Sequence, residues 1–114
     1  MITEDNVGAV FTALADPTRR RVVELLREGP LRASDLAVAS DTHRALMSKH
    51  LRVLRTVGLV EVETPEHDTR ERVYRLRHDQ FVTLQAWLDQ VQAFWSEQLG
   101  RFKAHAERPR KRHQ

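Results

Sequence analysis

The chain has no cysteine, which excludes disulfides, thiolate metal sites and thiol redox switches together. Nothing in it approaches the ~18 consecutive apolar residues that a membrane-spanning helix needs. The N-terminal stretch lacks the basic-then-apolar layout of a secretory signal, so a cytoplasmic protein is the expectation. Gly-rich phosphate loops and nucleophile elbows are missing as well. His43, His50, His67 and His78 each lack a carboxylate at a spacing suited to general-base chemistry. An enzyme is not expected.

The most informative absence is local. Residues 42–57, Thr42-His-Arg-Ala-Leu-Met-Ser-Lys-His-Leu-Arg-Val-Leu-Arg-Thr-Val57, carry four cations and no acid. At 100° per residue, Met47, Leu51, Leu54 and Val57 fall on one face, with Leu46 and His50 at its edge. Arg44, Ala45, Ser48, Lys49, Arg52, Arg55 and Thr56 fall on the other. A solvated helix usually mixes both signs of charge, because acid–base pairs four residues apart support it. A face with cations alone is suited to something anionic.

The rest of the charge is segregated to match. Residues 1–41 sum to −2 (five Arg against seven Asp/Glu), and 58–100 to −4 (four Arg against eight). Residues 42–57 sum to +4 and 101–114 to +5, within a chain whose net charge is +3. Positive charge concentrated in one helix and the tail favours a polyanionic partner. At 114 residues the chain fits one domain, read here as 1–107 with a basic, disordered tail at 108–114.

Along the chain, Thr3 can cap a first helix whose Val7, Val10, Phe11 and Leu14 make an apolar stripe. Asp16-Pro17 marks the start of a second helix, Asp as N-cap and Pro at the first helical position. That helix carries Val22, Val23, Leu25 and Leu26 and stops at Gly29-Pro30. A short third helix over about 33–39 holds Leu36, Ala37 and Val38, its cap being either Arg32 or Ser34. Ser40-Asp41 turns the chain, Thr42 caps the basic helix, and Gly58 closes it. A short helix, a tight turn and a longer helix with a polar outer face form a helix-turn-helix pattern.

The period then changes to two. Leu59, Val60 and Val62 alternate with Glu61 and Glu63, residues 64–69 turn, and Arg72–Leu76 returns. Helix-turn-helix followed by a β-hairpin gives a mainly α winged helix, in the order α-α-α-α-β-β-α. The hairpin tip mixes Glu66, Asp68 and Glu71 with Arg70 and Arg72. Residues 79–107 read as one helix about 40 Å long. Its stripe of Phe81, Leu84, Leu88, Val91, Trp95, Leu99 and Phe102 advances 3.5 residues per step, and Trp87 and Phe94 widen it. A core helix would explain part of the stripe. Its reach beyond the other elements favours a homodimer seam made by Val7, Val10, Phe11 and Leu14 together with Leu84, Leu88, Val91, Trp95, Leu99 and Phe102.

With these elements in order, the chain resembles the ArsR/SmtB family of bacterial winged-helix repressors. The matching stretches are Leu14-Ala-Asp-Pro-Thr-Arg-Arg-Arg-Val-Val-Glu-Leu-Leu26, Ser48-Lys-His-Leu-Arg-Val-Leu-Arg-Thr-Val-Gly-Leu-Val60 and Arg72-Val-Tyr-Arg-Leu76. The resemblance implies a homodimer built from the first and last helices, with one recognition helix per subunit in the major groove of double-stranded DNA. It departs from the family pattern at Ala45-Leu46, where a Pro or small residue followed by Ala or Thr is usual; this affects which bases are read. Metal-sensing relatives use cysteines near the recognition helix or an Asp-x-His…His-x-x-Glu set on the last helix. The first is impossible here. In the second, Val91 stands two residues after Asp89 and Arg108 three after His105, leaving only a loose set of Asp89, His105 and Glu107. No metal or cofactor is expected.

The interface candidates follow. Arg44, Ser48 and Lys49 are suited to base edges, and Ala45 to a thymine methyl. Arg52 and Arg55, farther along the face, are suited to phosphate, as are Ser34 and Thr42 near helix starts. His43 reaches either. Arg70 and Arg72 would carry a wing contact, and Arg19 and Arg20 complete the phosphate set. Two other readings share the fold: repression gated by a small-molecule effector between the dimer helices, and a protein-interaction module, which the mixed-charge wing and Leu46 would suit.

Overall fold

The computed structural model describes residues 4–63 and 72–107. Five helices and three short strands occupy them: α1 (Glu4–Ala15), α2 (Pro17–Leu26), β1 (Leu31–Arg32), α3 (Ala33–Ala39), α4 (Arg44–Thr56), β2 (Val60–Glu63), β3 (Val73–Leu76) and α5 (His78–Glu107). None of these helices is long and apolar enough to cross a membrane. The wing tip, with Arg70, and the tail at 108–114 lie outside the described residues.

Local chemistry sets the boundaries. The Asp16 carboxylate accepts the backbone N–H groups of Thr18 at 2.8 Å and Arg19 at 3.0 Å, with Pro17 opening α2 as the sequence predicts. Burial works against that carboxyl's charge. The N–H groups of Arg19 and Thr18 and the nearby His50 and Arg19 side chains outweigh it, and its pKa lies below the usual carboxylate range. Both helices of the helix-turn-helix end in the same double hydrogen bond. At α3, Asp41 N–H donates to Val38 O and Thr42 N–H to Ala37 O, with Asp41 at φ 50° in the left-handed region. At α4, Gly58 N–H donates to Arg55 O and Leu59 N–H to Leu54 O, with Gly58 at φ 82°. A Cβ on Gly58 would also stand 3.2 Å from Gln80 Cγ, so both backbone and space favour glycine.

Two features differ from expectation, the α4 cap and the strand count, while the α3 cap resolves to one of the two residues expected. The N-cap of α4 is His43, without a side-chain cap bond, and not Thr42. The Thr42 amide closes α3 and its hydroxyl donates to Ser40 O at 2.9 Å, so this residue completes the turn instead. The N-cap of α3 is Arg32, which pairs with Asp35 at 3.1 Å. The sheet has three strands, in the order β1-β3-β2, where a two-stranded hairpin was expected. Residues Leu31 and Arg32 pair antiparallel with Tyr74 and Val73, a contact too short to leave an alternating pattern.

The core gathers Val10, Ala13, Val22, Leu26, Leu36, Met47, Leu51, Leu54, Leu59, Val60, Tyr74 and Leu84. Val38 is not part of it: on a seven-residue helix that buries Leu36 and Ala37, it faces solvent. Only the first turns of α5 join the core. Leu84 is buried, Phe81 packs beside it, Trp87 meets Phe11 edge-on at 5.5 Å, and Gln80 donates to Val57 O at 2.7 Å. The radius of gyration is 21.1 Å, against about 13 Å for a compact domain of this length. The excess comes from a helix that leaves its own body behind.

Candidate nucleic-acid interface

The amphipathic pattern of residues 42–57 is realised as helix α4, which buries Met47, His50, Leu51 and Leu54. Arg44, Ala45, Ser48, Lys49, Arg52 and Arg55 are all exposed. Leu46 is exposed as well, at 48%, so the departure from the family pattern sits on the surface and not at the core's edge. Between α4, the start of α3 and the base of the wing lies an open groove of about 300 Å³, lined by Ala33, Ser34, Arg44, Ser48, Arg52, Arg55, Arg72 and Tyr74. Four guanidinium groups and three hydroxyls share it, and among the described residues no acid lines it.

Several arginines outside the groove are paired with acids. Arg75 meets Glu61 at 3.0 Å across β2 and β3, Arg77 meets Asp79 at 2.7 Å and Arg101 meets Glu97 at 2.7 Å. Arg44, Lys49, Arg52, Arg55 and Arg72 have no carboxylate partner among the described residues. Four of these, Arg44, Arg52, Arg55 and Arg72, share the groove between the reading helix and the wing base. An uncapped α4 start adds to this, since its first backbone N–H groups have no side-chain acceptor.

The structure brings together Ser34, Arg44, Ser48, Arg52, Arg55 and Arg72 in the groove. Ala45 and Lys49 lie farther round the same helix, and His43 is exposed at its start. Thr42 is engaged in the turn. Arg19, expected at a phosphate, is turned inward: Nε donates to Ala13 O at 2.6 Å, Nη2 to Thr12 O at 3.4 Å, and Nη1 to His50 Nδ1 at 3.2 Å. Arg20 remains exposed. Tyr74 and Ala33 line the groove without having been singled out; the alternation of β3 was the only available signal for Tyr74. Among the described residues no group of three or more His, Asp or Glu is placed to hold a metal.

A second surface lies on α5. Leu88, Val91, Phe94, Trp95, Leu99 and Phe102 are all exposed, Trp95 at 58% and Phe102 at 72%. Three residues assigned to the seam face elsewhere. Val7, Val10 and Leu84 are buried within the single chain, because α1 and the first turns of α5 must close its own core. What is left for another surface is Phe11, the half-buried Leu14 and the distal stripe of α5.

Comparison with known proteins places these features. The model for bacterial regulatory proteins of the arsR family matches residues 16–62. The HTH-type transcriptional regulator Rv2034 of Mycobacterium tuberculosis is 39% identical over 99 residues, covering 87% of each chain. Among solved structures, an ArsR-like transcriptional regulator from Rhodococcus sp. RHA1 superposes with a TM-score of 0.80 at 30% identity, over 92% of this chain and 96% of that one. The winged helix-turn-helix DNA-binding domain Mb0332 of Mycobacterium bovis, described as homodimeric, gives 0.61 at 27% identity, over 83% of this chain and 82% of that one.

Proposed function

The chain belongs to the arsR family of bacterial regulatory proteins, and from that premise we propose that it is a homodimeric repressor binding a pseudo-palindromic operator. It is a transcriptional regulator with a winged helix-turn-helix DNA-binding domain. The observation that carries the finer reading is the convergence of Arg44, Arg52, Arg55 and Arg72, none with a carboxylate partner among the described residues, on one groove, while Arg75, Arg77 and Arg101 are matched by acids. A duplex supplies the missing anions, and release of its counterions drives binding.

In this reading Arg44, Ser48 and Lys49 reach base edges and Ala45 a thymine methyl, while Arg52, Arg55, Arg72 and Ser34 hold phosphate. His43 stands at the helix start beside them, and Arg70 adds a wing contact. The distal stripe of α5 pairs with that of a second copy, which accounts for a row of large apolar side chains otherwise left in water. The protein acts in the cytoplasm, where the DNA is, and no catalytic step enters the reading. The exposed apolar seam is also where a small-molecule effector would be felt.

A titration of the protein against duplex from its own promoter, by fluorescence anisotropy at several salt concentrations, tests this. Expected are a steep salt slope and a footprint of two half-sites one helical turn, about 10–10.5 bp, or a multiple apart. A footprint over a single half-site, or binding indifferent to salt, would contradict it.

A further inference from the structure

The Arg19 side chain ties together three elements, α1, α2 and α4. Its guanidinium donates to two carbonyls at the end of α1, Thr12 O and Ala13 O, while its own backbone N–H is held by Asp16 at the start of α2. The remaining Nη1 points at Nδ1 of His50, in the middle of α4. His50 is 8% exposed and is the one buried polar residue among those described. A guanidinium can only donate, so Nδ1 accepts with its lone pair and the ring proton sits on Nε2.

We propose that Arg19 is a positioning residue for DNA reading: it fixes the orientation of α4 through His50 and ties it to α1. This rests on the operator-binding reading above. The geometry has a direct chemical corollary. A doubly protonated imidazole has no lone pair at Nδ1 and places a second cation 3.2 Å from the guanidinium.

The test compares specific with non-specific binding for the full-length protein, using the promoter duplex it prefers and a scrambled duplex of equal length. Arg19→Met and His50→Leu should each weaken the specific complex roughly tenfold, the worth of one hydrogen bond to a charged group, and leave scrambled duplex unaffected. The double variant should be no worse than either single. His50→Gln, whose amide oxygen can still accept from Arg19, should restore binding. Circular dichroism confirms that each variant is folded under assay conditions, and His50→Gln keeps the test decisive if His50→Leu is not. Equal losses on both duplexes would make Arg19 a phosphate contact and overturn the proposal, as would additive losses or a loss for His50→Gln equal to that for His50→Leu. A wild type that prefers no duplex would instead overturn the operator reading, and this proposal with it.

Discussion

Trp95→Ala separates what α5 does for its own chain from what it does for a second copy. Trp95 is 58% exposed in the single chain. A tryptophan buries up to about 250 Å², so the change removes about 100 Å² of area available to a partner once the remaining Cβ is allowed for. At about 25 cal/mol per Å² this is about 2.5 kcal/mol per copy. A two-fold seam uses the side chain twice, giving roughly 5 kcal/mol, or between three and four orders of magnitude in the dimer dissociation constant. Sedimentation velocity over a concentration series reads that constant directly. The fold of the single chain should be nearly untouched, because little of Trp95 is committed to it. Leu84→Ala supplies the contrast, since a buried leucine should cost about 2–5 kcal/mol of folding stability. If Trp95→Ala left the dimer constant unchanged, or unfolded the chain as Leu84→Ala does, the assignment of the distal stripe to a second copy would be wrong.

Other expectations follow from the interface and the caps. Arg44→Ala should cost about 1–3 kcal/mol on the preferred duplex and relax selectivity at one base position, read by binding to single-position variants of the site; a uniform loss over all sequences would make Arg44 a phosphate contact. Deleting residues 108–114 removes four of the 19 Lys/Arg, and the slope of log affinity against log salt should flatten by up to about 0.9 for each phosphate those cations neutralise. An unchanged slope would show that the tail does not touch DNA. Asp16→Ala should lower folding stability by about 1 kcal/mol through loss of the α2 cap. Because the Asp16 pKa is lowered in the folded chain, its charge stabilises the fold fully above its unfolded value near about 4. That stabilisation fades as pH falls through the lower folded value. The stability gap between wild type and Asp16→Asn, followed by denaturant titration, should therefore be flat above about pH 5 and narrow in acid.

The residues that could be read without coordinates are those whose role is local. Asp16-Pro17 opens α2, and Gly58 closes α4 with a positive φ, because both act within a few residues of their own position. Thr42 shows the limit of such reasoning. Its hydroxyl suits a cap, but its amide is already needed to finish α3, so the α4 cap moves one residue on, to His43. The two-residue β1 could not be foreseen, since its register comes from β3 more than forty positions away.

The sequence by itself determined which residues form helices, which face of residues 42–57 is basic, and that a long apolar stripe exceeds what one small core can cover. Those properties follow from period, charge and chain length, which need no fold to be expressed. Only the tertiary structure decided how individual side chains are shared between competing surfaces. Val7, Val10 and Leu84 went to the core of the single chain and Arg19 went to His50, while Arg44, Arg52, Arg55 and Arg72 converged on one groove. A helical wheel gives a side chain's direction around its own axis; which neighbour occupies that direction is set by packing between elements distant in sequence.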